Sequence, residues 1–209
     1  MTSLKICGMT NSSHVRLAAS KGVSMLGFIL VPTSPRYCHP EHAGLYIRWL
    51  RQHYPQTKSV IVLVSDNPDD IRATHKTLSP DFIQWHTSLK ADEFNRLHIS
   101  GLIKVFSVQG LMTEADILAY EADYYLFDTY RKGQHGGTGR PFDWEWIPKS
   151  LMPKAIIAGG LRPKDILPLV SKYHPYAVDL NSTLEISRGI KSPARIEKAI
   201  RFWKKTATR

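Results

Sequence analysis

Eight short runs rich in β-branched and aromatic residues recur along the chain, and their spacing restricts the fold more than any other feature. They are Leu4–Cys7, Met25–Leu30, Ser59–Val64, Phe82–Trp85, Leu102–Val108, Tyr124–Thr129, Ala155–Ala158 and Ala177–Leu180. Successive runs start 20 to 34 residues apart, enough to fit a crossover helix between parallel strands. Helical patterns fill five of the intervals, at Ser12–Lys21, His42–His53, Asp69–Thr77, Glu114–Glu121 and Pro163–Lys172. Several open on residues that satisfy the first free N–H groups of a helix or suit its first turn: Asn11 or Ser12, Asn67 before Pro68, Thr113 before Glu114, Arg162 before Pro163. The order predicts a parallel sheet closed into a single (β/α)8 TIM barrel over residues 1–209. A doubly wound open sheet is the alternative. If it bound a dinucleotide, its first strand-to-helix turn would carry G-x-G-x-x-G, whereas that turn here reads ICGMTN.

Composition narrows the setting. A hydrophobic content of 43% with 22% charged residues is that of a soluble globule, and no apolar run has membrane-spanning length. The opening MTSLKICG lacks a signal-peptide pattern, and Cys7 and Cys38 are too few for a disulfide framework and lack metal-ligand spacing. Cytoplasmic localisation without a membrane partner is the expectation. The net charge of +10 raises the question of nucleic acid, but seven of those charges come from residues 188–209, with eight Lys/Arg against Glu197. That tail also carries a helical apolar stripe at Ile196, Ile200 and Trp203. Its basic residues, Lys191 among them, are read as a solvated helix face, with no nucleic-acid partner.

In such a barrel, function gathers at the C-terminal ends of the strands. Those ends present Cys7, the loop VPTSPRYC with Arg36, Asp128, Gly159–Gly160 and Asp179. Lys5 shares a strand face with Cys7. If that face points inward, Lys5 needs a carboxylate, Asp128 or Asp179, and its charge favours the thiolate. Asp128 caps a strand or, desolvated, serves as a general acid beneath a flap hinged at Gly133, Gly136, Gly137 and Gly139. Backbone N–H groups at Gly159–Gly160 and at Asn181–Ser182 can cradle a phosphate after strands seven and eight. Arg36 is either a surface charge or a guanidinium held by a stiff, proline-rich loop for a carboxylate or phosphate. His86 is read as a packing or hydrogen-bonding residue.

These segments resemble the phosphoribosylanthranilate isomerase family. KICGMTN is similar to its opening motif, and LGFILVPTSPRY to its second strand and anion-binding loop. FDT…GGTGRPFDW, IIAGGLRP and VDLNSTLE…GIKS resemble its later blocks. The resemblance implies a (β/α)8 barrel and a cofactor-independent Amadori rearrangement of a phosphorylated aminosugar, N-(5-phosphoribosyl)anthranilate. It assigns the acid to Asp128, the base to Cys7, the substrate carboxylate to Arg36, and the phosphate to the Gly159–Gly160 and Asn181–Ser182 loops. Asp179 is placed to orient Lys5 or tune the pair, and the expected assembly is a monomer or weak homodimer. Two departures stand out: Thr87 and Thr183 occupy positions where the family has glycine, and Thr183 is expected to restrict the phosphate loop. A related isomerase of histidine synthesis is disfavoured, because strands one and five end in Cys7 and Val108–Gln109 and not in paired aspartates.

Overall fold

The computed structural model describes residues 1–129 and 142–207. Eight parallel strands pair in sequence order and close on themselves: β1 (Ser3–Ile6), β2 (Met25–Ile29), β3 (Lys58–Val64), β4 (Phe82–His86), β5 (Leu102–Val108), β6 (Tyr124–Thr129), β7 (Ala155–Ile157) and β8 (Ala177–Leu180). Closure comes from β1 against β8, with Lys5 opposite Asp179 and Ile6 opposite Leu180. Each strand lies within two residues of its expected run. Helices α1 (Ser12–Ser20), α2 (Pro40–His53), α3 (Pro68–Leu78), α4 (Ala91–Asn95), α5 (Glu114–Leu118), α6 (Ile166–Tyr173) and α7 (Pro193–Lys204) complete the ring.

The alternation along the strands builds two cores. One set of side chains fills the barrel: Met25, Val60, Ile103, Val105, Leu126, Ile156, Ala158 and Ala177. The opposite set, such as Leu4, Ile6, Phe28, Phe127 and Val178, packs outward on the helices. Trp85 anchors a third cluster, stacking on Phe94 at 4.9 Å and donating its ring N–H to Ser65 O at 2.7 Å.

Cap residues act as expected. Asn11 accepts from Ser13 N at 2.8 Å, Asn67 from Asp69 N at 3.1 Å and Thr113 from Asp116 N at 3.1 Å. Ile196, Ile200 and Trp203 are buried, and the Trp203 ring N–H donates to Thr2 O, pinning the last helix to the first strand. Three expectations change. The helical segment before β6 stops at Leu118, the one after Arg162 begins as a 3-10 turn over Pro163–Asp165, and the single-turn α4 lies below the reach of periodicity. A small hairpin, β9 (Glu185–Ser187) with β10 (Ile190–Lys191), also follows β8.

Leu126, 1% exposed, sits in the middle of the inner layer. Leu126→Ala is expected to destabilise the protein by about 3 kcal/mol in urea denaturation. A loss below about 1 kcal/mol would show that the barrel interior is not close-packed.

Candidate active site

Strand parity and closure put Lys5 and Cys7 inside the barrel. Lys5 is fully buried, and its ammonium donates to Asp179 Oδ2 at 2.7 Å, which settles the choice between the two aspartates. The other Asp179 oxygen, Oδ1, is buried with no hydrogen-bond partner among the described residues. Burial alone would push the Lys5 ammonium down, but Asp179 and Cys7 outweigh it and hold Lys5 above its ordinary range.

Cys7 continues the β1–β8 pairing, its N–H donating to Leu180 O at 3.0 Å. Its sulfur occupies the space left by a missing side chain on β2: a Cβ on Gly27 would lie 2.8 Å from Cys7 Sγ. The next residue, Gly8, has a positive φ of +70°, and a Cβ there would lie 2.8 Å from Asn181 Oδ1 and 2.9 Å from Arg36 Cδ. Gly8 is therefore the junction where the ends of β1 and β8 meet the loop after β2.

Asp128 enters from β6. One of its oxygens accepts from Thr129 N at 2.7 Å, and the same oxygen would stand 3.0 Å from a Cβ on Gly159, whose φ is +89°. Burial raises the Asp128 carboxyl to about 6, with the Thr129 N–H and the Lys5 charge pulling against it and Asp179 adding to it. Cys7 and Asp128 thus both feel the Lys5–Asp179 pair. Lys5 favours the thiolate, as expected, but its charge does not decide the outcome. Lys191 acts in the same direction, but burial dominates and the thiol lies above its ordinary value.

Arg36 is not a free surface charge. Its Nε and Nη2 donate to the two oxygens of Glu185 at 2.6 and 2.8 Å, a bidentate pair that leaves Nη1 without a hydrogen-bond partner among the described residues. Glu185 Oε1 also accepts from Lys191 Nζ at 2.8 Å. Lys191, 2% exposed, therefore belongs to the site and not to a solvated helix face; the helix starts two residues later, at Pro193. Neither Glu185 nor Lys191 was singled out as a site residue from the sequence. The available signal was Gly189 between Glu185–Ile186–Ser187 and Ile190–Lys191, which has the form of a hairpin.

At the rim, Gly159 and Gly160 both have positive φ, the region that favours glycine. Asn181 and Ser182 lead into a 3-10 turn over Ser182–Leu184. Thr183 does not strain this loop: it lies outside the positive-φ region, and its hydroxyl donates to Leu161 O at 2.6 Å. The side chain ties the two candidate phosphate loops together. Thr87 bonds Asp66 at 2.7 Å, and Gln84 Nε2 lies 3.0 Å from His86 Nε2, in keeping with a hydrogen-bonding role for His86. Gly133, Gly136, Gly137 and Gly139 fall outside the described residues.

Burial alone would raise the Glu185 carboxyl, but Arg36 and Lys191 bring it down to about 2. Its folded value is depressed, so the stabilisation is present above the ordinary carboxylate range and is lost as pH falls toward 2. Glu185→Gln is expected to cost about 3 kcal/mol at pH 7 in urea unfolding, with the gap to the parent narrowing toward pH 3. A gap independent of pH would contradict the charged pairing.

Residues 4–201 match the family model described as N-(5'phosphoribosyl)anthranilate (PRA) isomerase. The chain is 35% identical over 208 residues to the N-(5'-phosphoribosyl)anthranilate isomerase of Citrifermentans bemidjiense, covering 99% of both chains. Against the Nitrosomonas europaea protein of the same name it is 35% identical over 198 residues, covering 92% of this chain and 90% of the other. Among solved structures, the phosphoribosyl anthranilate isomerase of Thermus thermophilus superposes with a TM-score of 0.81 at 27% identity, both chains fully covered. Another, in complex with reduced 1-(o-carboxyphenylamino)-1-deoxyribulose 5-phosphate, gives a TM-score of 0.78 at 25% identity, covering 98% of this chain and all of the other.

Proposed function

The chain belongs to the phosphoribosylanthranilate isomerase family, and we propose that Cys7 and Asp128 divide between them the proton transfers of its reaction. It is an aldose–ketose isomerase of tryptophan biosynthesis, converting N-(5'-phosphoribosyl)anthranilate to 1-(2-carboxyphenylamino)-1-deoxyribulose 5-phosphate. The observation that carries the division of roles is that Cys7 and Asp128 flank one buried ion pair, Lys5–Asp179, at the same end of the barrel.

Asp128, in its protonated form, gives its proton to the furanose oxygen; the C1–O bond breaks, and the nitrogen lone pair forms an iminium at C1. The Cys7 thiolate then takes the C2 proton. The C2–H electron pair becomes the C1–C2 double bond, and the iminium electrons return to nitrogen. The resulting enolamine gains a proton at C1 and loses one from the C2 hydroxyl to give the ketone. An acid with a value near 6 is available for proton donation close to neutrality, and a thiol above its ordinary value makes a strong base once ionised. In the resting site the proton sits mainly on sulfur, and the active form arises when it passes from Cys7 to the Asp128 carboxylate, leaving thiolate and carboxylic acid together. Binding of an anionic substrate near Asp128 raises the carboxyl further and favours its protonated form.

Arg36, held by Glu185 through one edge, offers Nη1 to the anthranilate carboxylate. Asp179 Oδ1, without a hydrogen-bond partner among the described residues, is an acceptor for a substrate hydroxyl. Gly159, Gly160, Asn181 and Ser182 supply the phosphate cradle; Thr183, bridging to Leu161, supports its shape. The reading includes action in the cytoplasm, as a monomer or weak homodimer, without nucleic acid. Two free, buried cysteines support a reducing compartment, and no helix among the described residues is long and apolar enough to cross a membrane.

Two outcomes are expected. Cys7→Ala and Asp128→Asn each reduce turnover by at least about 10³-fold with circular dichroism unchanged, whereas Arg36→Ala chiefly raises KM, all followed by loss of substrate fluorescence. Near-normal turnover in Cys7→Ala would remove sulfur from the mechanism. In a Cys38→Ala background, the rate of Cys7 alkylation keeps rising with pH through about 9, because thiolate is the reactive form. A rate that levels off near neutrality would show a resting thiolate and overturn the proton inventory given above.

A further inference from the structure

The hairpin after β8 places a buried cation behind the substrate groups assigned so far. Lys191 Nζ donates to Glu185 Oε1 at 2.8 Å, Asn181 Oδ1 at 2.7 Å and Asn181 O at 3.1 Å, which uses all three of its N–H groups. Glu185 is equally saturated. Its Oε1 accepts from Lys191 and Arg36 Nε, and its Oε2 from Arg36 Nη2 and, at 3.3 Å, Gly189 N. The hairpin is seated from the other side as well, since a Cβ on Gly189 would collide with Pro35 O, one residue from Arg36. Arg195 adds a further donor through its guanidinium to Glu185 O.

We propose that Lys191 is a positioning residue for substrate recognition: it fixes Glu185, and through Glu185 the angle at which Arg36 meets the substrate carboxylate. An arginine engaged by a carboxylate along one edge can swing about that contact unless the carboxylate is itself fixed. Here the fixing atom is the Lys191 ammonium. Without it, Glu185 Oε1 keeps one strong donor instead of two, Asn181 Oδ1 loses its partner beside Gly8, and the Arg36 plane is no longer set. The charge balance agrees. Lys5 cancels Asp179 and Arg36 cancels Glu185, so Lys191 supplies the remaining positive charge of the cluster, and its field reaches Cys7.

The inference rests on Arg36 receiving the carboxylate, and the test separates the two claims. The probes are the reduced product analogue, 1-(o-carboxyphenylamino)-1-deoxyribitol 5-phosphate, and the same compound without its carboxyl group, with affinities measured for the parent, Lys191→Met and Lys191→Gln. The parent is expected to favour the carboxylated compound. In both variants that preference falls about tenfold or more, while affinity for the decarboxylated compound changes less than about threefold. Lys191→Gln retains a donor for Asn181, so a folded variant is at hand if the methionine variant does not fold; thermal melting identifies the folded ones. An unchanged preference in a folded variant, or an equal weakening of both compounds, overturns the positioning role. A parent that shows no preference overturns the assignment of Arg36 instead.

Discussion

The contact between Lys5 and Asp179 is the constraint around which the rest is arranged. It lies where the last strand of the barrel meets the first, with Lys5 fully buried and Asp179 nearly so. A buried ammonium is tolerated only with a close counter-charge, so barrel closure and charge compensation are one requirement here. The same register fixes what lies beyond the pair. Two residues after Lys5 comes the sulfur, two after Asp179 comes Asn181, and Asp128 approaches from β6. Breaking either partner would strand a charge between the first and last strands, where the sheet has no edge to release the strain.

Much of this was legible in the sequence because it depends on local pattern. β-Branched runs of four to seven residues, spaced to admit a helix, need no knowledge of contacts to be read as barrel strands. Cys7, Asp128, Asp179 and the Gly159–Gly160 turn followed from their places at strand ends, and Arg36 from a rigid loop and the family resemblance. Glu185 and Lys191 were missed for a physical reason. A charged residue looks solvated until a partner from another element is known, and Lys191 sits between Arg188 and Arg195, a setting that reads as a basic face. The balance between burial and neighbouring charge at Cys7 is likewise tertiary. The sequence showed the lysine beside it but not the depth of the pocket.

The site is built from charges that mostly cancel one another before any ligand arrives. Such a pocket can hold several ionised groups in little space because most have an opposite charge within hydrogen-bonding reach. The two titrating groups, Cys7 and Asp128, stand beside these fixed pairs. Their proton affinities are therefore set by burial and by the fields of these neighbouring charges. The basic tail supplies most of the net charge, while Lys191, six residues after Glu185, supplies a structural one.

Gly27 limits how far position 7 is open to evolutionary change. The sulfur rests where a methyl group on β2 would be, and position 27 already carries the smallest residue there is. No further trimming of that neighbour is available, so a bulkier side chain at position 7 would have to be admitted by shifting the strands themselves. Exchange of Cys7 for a larger residue is thus a problem of backbone geometry before it is one of chemistry.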